Sequence, residues 1–453
     1  MNTLFSAYSA DTFWILEEHD WDWNRQNVRE SQFALGNGFI GTRSALEEIP
    51  AGSRPGTYLA GVFDRTGAQV TDLVNFPNPF RVIFTIDGEK LGPGTMELCE
   101  QYRVLNLKKG VLVRSSVFRD RANRRYRYES LRFLSMNSKS ILVHRVILTP
   151  LNGACRVDVR AGTTPSAVNR GPQCEGEKQH FRIREIDQTH HDRFIALETR
   201  EKKKTVTYWN RLYLETGGRK KTLADTSFSL DLRKNQSAAL TRITDIRHFP
   251  RKNTISDIKR GSQNGFNKAV KKGYNRLLAN HERAWEKLWN HADVVLDGDS
   301  EMQLSLRFSI YHMLICGQAD NGFSSIGAKS LSGEGYRGHV FWDTEIFLFP
   351  FFVYTFPEVA RSMLLYRYHR LEAARELAVK EGYQGAKFPW ESADTGLEET
   401  PSWGKREDGS VSLIHTHEFE HHITADIAYA AWQYWQVTGE ERFWLDYGCR
   451  IMF

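Results

Sequence analysis

Three stretches of the sequence carry residue types that could do chemistry. Gly36-Asn37-Gly38-Phe39-Ile40-Gly41 has the GxGxxG spacing of a dinucleotide turn. Such a turn needs a strand before it and a long helix behind it, with the pyrophosphate at the helix N-terminus. Here only TRSALEE precedes Pro50 and alternating segments follow, so a glycine-rich turn is expected instead. His417-Glu418-Phe419-Glu420-His421 matches HExxH. On a continuous helix this would set two imidazoles one turn apart around zinc, with Glu418 as general base. The next apolar periodicity begins only at Ile423, and His415 and His422 crowd the same stretch. A polar loop without a metal is expected, with a zinc peptidase as the lesser reading. The third stretch pairs acids with tryptophan. GEGYRGHVFWDTE gathers Arg337, His339, Trp342, Asp343 and Glu345, and KFPWESADTG brings Trp390, Glu391 and Asp394. Glycoside chemistry needs carboxylates that grip hydroxyls, an acid for the leaving oxygen, and aromatic faces for the ring. Acids also favour the first turns of helices for electrostatic reasons alone. Two such clusters on successive inter-helix loops nonetheless point to a sugar site.

The elements that must position these loops change character once along the chain. From about residue 80 to 250 the pattern alternates with period two, in RVIFTID, VLVRSSVF, RYRYESLRFL, SILVHRVILT, RFIALET, TVTYWNRLYLE and TSFSLDL. Short alternating runs separated by turn residues predict a large antiparallel β-sandwich. Residues 251–265 are polar and unpatterned and read as a linker, followed by a helix with apolar residues from Val270 to Trp289. HADVVLDG then reads as a short strand. After Glu301 the period is helical, with about five helices, the residues from Glu358 to Gly382 reading as one of them. The expected organisation is therefore multi-domain α and β: a sandwich over 1–255, a helical linker over 256–295, and helices over 296–453. The chain stops at Phe453 inside an amphipathic segment, which leads to the expectation of an unfinished helical domain that is inactive on its own.

Composition narrows the class. Of 453 residues, 41% are hydrophobic and 26% charged, which excludes a disordered or fibrous chain. No apolar run approaches the roughly 18 residues that span a bilayer, and the N-terminus has no basic region of a signal peptide. Five dispersed cysteines without a CxxC pair suggest free thiols and a cytoplasmic home. A net charge of +6 comes with only short basic runs, Lys202–Lys204 and Arg219–Lys221, expected to be solvated strand ends rather than a nucleic-acid patch.

The segment from GEGYRGHVFWDTE through KFPWESADTG, with EHHITADIAYAAWQYWQVTG behind it, resembles glycoside hydrolase family 65. FALGNGFIGTR and YLAGVFD resemble the opening segments of the same family. The resemblance implies a β-sandwich, a helical linker and an (α/α)6 barrel present here in part. It implies inverting phosphorolysis of an α-glucosyl disaccharide, kojibiose-like or maltose-like, to β-glucose 1-phosphate and a sugar. Inorganic phosphate would be co-substrate, with no other cofactor. Residue by residue, Arg337, Trp342 and Asp343 match the positions that hold the transferred glucosyl unit. Trp390 and Glu391 match those at the acceptor sugar, with Thr416 beside them. The family's general acid, a glutamate, is expected beyond Phe453, so no catalytic acid is assigned. A homodimer is implied as well, with neither membrane nor nucleic acid as partner. A hydrolase of the same family and an inactive carbohydrate-binding remnant are the alternatives.

Overall fold

The computed structural model describes residues 4–453 apart from 171–175, 190, 224–225, 251–252 and 407. A ten-stranded antiparallel sheet dominates the first half. Its order runs Ile15–His19, Glu97–Asn106, Val111–Arg119, Arg125–Leu134, Ile141–Pro150, Ala238–Phe249, Thr205–Thr216, Asp192–Thr199 and Phe181–Thr189, with Arg219–Leu223 also paired to Thr205–Thr216. A second sheet, Ser227–Leu232, Cys155–Arg160, Ile83–Ile86 and Glu89–Lys90, covers part of one face. Alternation explains the two-layer core: Tyr126, Tyr128, Val146 and Leu148 face the second sheet, where Phe84, Val157 and Val159 meet them. The residues between them, Leu131, Phe133, Ile141 and Val143, point the other way. They pack against Phe266, Ala269 and Leu277 of the helix Ile255–Ala292.

That helix corrects the reading of residues 251–265 as an irregular linker from Thr254 onward; 251–252 lie outside the described residues. It starts at Thr254, whose Oγ1 accepts from Asp257 N at 3.2 Å, and bends at Gly273 (φ 70, ψ 172). Its early buried positions are Ile258, Ser262, Phe266 and Ala269. The period is helical, but small and polar members mask it; Ser262 is buried because it accepts from Trp209 Nε1 at 2.9 Å. HADVVLDG is not a strand. The side chain of Gln303 substitutes for a strand partner, accepting from Leu296 N at 2.6 Å and donating to Val294 O at 3.0 Å. The single helix expected up to Gly382 is two, Pro357–Tyr368 and Leu371–Lys380. Arg370 breaks it, turning its guanidinium onto the carbonyls of Gly322, Phe323 and Tyr366.

The helices Ser300–Leu314, Phe349–Thr355 and His422–Thr438 share one apolar core with Trp285 and Trp289 of the long helix. Gly36–Gly41 forms a hairpin, Leu35–Gly36 against Ile40–Thr42, with no helix behind it. Gly38 (φ 85) lies so close to the helical half that a Cβ would meet Gly317 O at 2.3 Å. The glycines thus serve packing. Cys99, Cys155, Cys316 and Cys449 are free, and Cys174 lies outside the described residues. No described helix is long and apolar enough to cross a membrane.

Candidate functional site

The two tryptophan–acid loops lie side by side. Val340 N donates to Ser392 O at 2.8 Å and Ser392 N donates to Val340 O at 3.0 Å, a two-residue antiparallel bridge. Trp342 and Trp390 converge on one ring, His422, at centroid distances of 4.9 and 5.5 Å, both edge-to-face. Asp343 begins a π-helical turn, Thr344–Leu348, that runs into Phe349–Thr355. Such turns recur at functional sites because they re-aim side chains. Asp343 is half-buried and makes no side-chain cap bond there. Its carboxylate is therefore open to a hydroxyl donor.

Glu391 is buried and held. Its Oε2 lies 2.6 Å from His339 Nδ1, and His339 Nε2 lies 2.7 Å from Thr71 O. A carbonyl only accepts, so Nε2 carries a proton, and Nδ1 shares a second hydrogen bond with the carboxyl. The loop backbone is fixed by Glu398, which accepts from Trp390 N at 2.8 Å and Glu391 N at 3.2 Å. Arg337 sits in a turn of three left-handed residues, Tyr336, Arg337 and Gly338 (φ 49, 55 and 73). It is 4% exposed, and its NH1 donates to Asp72 of the sheet half at 3.2 Å. Thr416 opens a one-turn helix, Thr416–Phe419, and among the described residues its buried Oγ1 has no hydrogen-bond partner. Lys387 Nζ donates to His417 O at 3.0 Å, which ties this turn to the Trp390 loop.

The structure therefore gathers Trp342, Asp343, Trp390 and Glu391, places Arg337 at their edge toward the sheet, and brings Thr416 near through Lys387. Two acids of the same clusters are structural. Glu345 forms a bidentate pair with Arg367 at 2.8 Å, both 1% exposed; burial pushes its carboxyl up and Arg367 opposes. Asp394 holds Lys202 at 2.5 Å and Lys204 at 2.9 Å. That corrects the expectation of a fully solvated Lys202–Lys204 run: the run joins the two halves. HEFEH spans a helix end, since Thr416–Phe419 stops before His421 and the next helix begins at His422. Among the described residues no group of three or more His, Cys, Asp or Glu could hold a metal ion.

Sequence reasoning assigned nothing to His422, Glu398, Thr71, Asp72 or Asp426. Asp426 follows His422 by one turn; burial pushes its carboxyl up and His422 opposes. Only its place in EHHITAD beside the next helix start could have drawn notice. A cavity of about 1040 Å³ opens elsewhere, lined by Tyr58, Asn75, Arg81, Lys329 and Glu334, and none of the six predicted residues lines it.

Comparisons with known proteins identify the family. The description "Glycosyl hydrolase family 65, N-terminal domain" matches residues 16–288, and "Glycosyl hydrolase family 65 central catalytic domain" matches residues 307–453. A kojibiose phosphorylase of Caldanaerobacter subterraneus subsp. tengcongensis is 35% identical over 98% of this chain and 59% of its own length. The chain thus spans about three fifths of that relative. A kojibiose hydrolase of Flavobacterium johnsoniae is 45% identical over 184 residues, 41% of this chain and 25% of the relative. A solved structure of a kojibiose-phosphorylase-like protein from human microbiome superposes with a TM-score of 0.82 at 19% identity, covering 97% of this chain and 58% of the other, which shows the fold. The chain belongs to glycosyl hydrolase family 65.

Proposed function

We propose that the protein cleaves an α-glucosyl disaccharide, kojibiose-like or maltose-like, by inverting phosphorolysis to β-glucose 1-phosphate and a free sugar. The carrying observation is the cross-bridged pair of loops that sets Trp342 with Asp343 beside Trp390 with Glu391. In this reading Asp343 accepts from glucosyl hydroxyls, with Trp342 as a wall of the ring site and Arg337 at its edge. Trp390, Glu391 and Thr416 meet the acceptor sugar. The proton donor is a carboxylic acid that this cluster does not contain. Phosphate is already an anion and attacks the anomeric carbon unaided, whereas an inverting hydrolase needs a second carboxylate to activate water. No other cofactor enters. The working division is a sandwich over 1–255, a linker over 256–295 and the start of the barrel over 296–453, in a homodimer. A hydrolase is the second reading, favoured by the 45% identity to the Flavobacterium enzyme over its matched stretch.

The test is cleavage of kojibiose and maltose by the full-length protein, with and without phosphate. Phosphate-dependent release of glucose 1-phosphate is expected, and glucose release without phosphate would favour the hydrolase. A lost charged hydrogen bond costs about 1.5–3 kcal/mol, or roughly 10- to 150-fold. Asp343→Asn should lower kcat/KM by that factor for every substrate, while Glu391→Gln should shift preference among acceptors. Asp343→Asn within twofold of wild type would remove Asp343 from the donor site.

A further inference from the structure

The sheet half reaches the candidate site through a short hairpin, Phe63–Asp64 paired with Asp72–Leu73. Two adjacent residues of it touch both loops. Asp72 Oδ1 accepts from Arg337 NH1 at 3.2 Å, and Thr71 O lies 2.7 Å from His339 Nε2, whose other nitrogen meets Glu391. Thr71 N donates to Glu399 Oε2 at 2.9 Å, a direct tie to the loop that carries Glu391. The turn fits against the strand with no slack: a Cβ on Gly338 would lie 2.5 Å from Leu73 Cβ. Left-handed backbone costs a non-glycine residue about 1–2 kcal/mol. Tyr336 and Arg337 both adopt it, a strain that persists only where the surroundings over-determine it.

Behind the hairpin lies His180, 1% exposed. Its Nδ1 is 3.0 Å from Thr66 Oγ1 and 3.6 Å from Asp64 Oδ2, and its Nε2 is 3.3 Å from Asp72 Oδ2. Asp64 also accepts from Glu201 N at 3.0 Å and Lys202 N at 2.9 Å. The charged groups around the imidazole are Asp64 and Asp72 of the hairpin and Arg337 beyond Asp72. On the adjoining turn, Lys202 and Lys204 turn their ammonium groups to Asp394. Burial lowers the affinity of His180 for a proton, but the neighbouring carboxylates of Asp64 and Asp72 outweigh it and the net shift is upward.

We infer that Thr71–Asp72, braced by His180 between Asp64 and Asp72, is the positioning element that sets Arg337 and Glu391 of the sugar site together. This rests on the glucoside-cleaving function proposed above. Arg337 and Glu391 would meet sugar; Asp72 and His180 act through them.

The experiment compares full-length wild type, Asp72→Asn, His180→Gln and Glu47→Gln in steady-state kinetics on kojibiose with and without phosphate, alongside thermal unfolding. Glu47 is a buried carboxylate on a turn against the large sheet, with Arg114, Ser130, Arg132 and His144 as partners, none of them in the hairpin. Asp72→Asn should raise KM and lower kcat/KM by about 10-fold or more. Wild-type KM should rise as pH climbs through the raised His180 titration. His180→Gln should show the high KM throughout, without that pH limb and with kcat within threefold. Glu47→Gln should lower the unfolding temperature and leave KM alone. If Asp72→Asn does not fold, the His180→Gln pH profile carries the test. An active wild type, with KM in the folded variants within twofold and the pH limb intact, overturns the positioning role alone. A wild type inactive on α-glucosyl disaccharides under both conditions overturns the functional reading and this inference together.

Discussion

Two buried charge clusters, one against the large sheet and one at the hairpin, contain the same kinds of residue and shift their imidazoles in opposite directions. In the sheet, Arg114 makes a bidentate pair with Glu48 at 2.7 and 2.8 Å and meets Glu47 at 3.2 Å. Arg132 lies 4.0 Å and His144 3.5 Å from Glu47. Two carboxylates face two guanidinium groups there, so no further positive charge is called for. Burial lowers His144, Glu47 only partly restores it and Arg242 and Arg132 oppose, leaving it at about 4. Burial also raises Glu47, but Arg132, the His144 bond and Arg114 reverse this and hold it well below the usual carboxylate range. At the hairpin, Asp72 pairs with Arg337, and Asp64 and Asp72 flank His180 and shift it upward against the effect of burial. Both imidazoles are buried. The balance of fixed charge around each one decides its proton, and burial alone does not.

The comparison can be broken most forcefully in the sheet. Arg114→Met leaves Glu47 and Glu48 buried without their main partner, a change that costs about 3–5 kcal/mol. A large drop in the denaturant midpoint is expected, with KM for disaccharide unchanged. A loss below about 1 kcal/mol would mean that the sheet cluster carries little of the domain's stability.

A smaller effect separates the two histidines by sign. His144 has a depressed folded pKa of about 4 against 6.5 unfolded, so its contribution is present above pH 6.5 and is lost as pH falls toward 4. His180 has a raised folded value, so its contribution is full below pH 6.5 and is lost as pH rises through that value. Each proton sets a slope of at most about 1.4 kcal/mol per pH unit. Stability differences between wild type and His144→Gln should therefore shrink in acid, and those for His180→Gln should shrink in base. Equal slopes for the two variants would erase the distinction.

The smallest effect calibrates the rest. Thr254→Ala removes the N-cap of the helix beneath the sheet and touches neither cluster. It should cost about 1 kcal/mol, with KM and both pH slopes unchanged. A silent substitution would restore residues 253–265 to an irregular linker.

Much of the architecture was legible because it follows local periodicity. RYRYESLRFL is the strand Arg125–Leu134 residue for residue, and its alternation fixes which side chains face each layer. The strands Glu97–Asn106 and Ala238–Phe249 were less legible, because buried Gln101, Arg103, Arg242 and Asp245 interrupt the apolar pattern. Arg103 and Arg242 are buried through partners far away in the chain, Glu18 for Arg103 and the carbonyls of Pro79, Arg81 and Ala161 for Arg242. The start of the long helix was hidden for the same reason at Ser262, which needs Trp209 to be buried.

The site divides along the same line. The sequence alone determined that Trp342–Asp343 and Trp390–Glu391 sit on inter-helix loops with the residue types sugar chemistry needs, since these features depend only on neighbours along the chain. Tertiary structure decided which acids remain available. Glu345 is taken by Arg367 and Asp394 by Lys202 and Lys204, while Asp343 stays open and Glu391 is held by His339. It also brought Thr71 and Asp72 against His339 and Arg337, some 265 residues further along the chain. A carboxylate's role depends on which charges stand within a few ångströms of it, and folding, which brings distant segments into contact, sets that spacing.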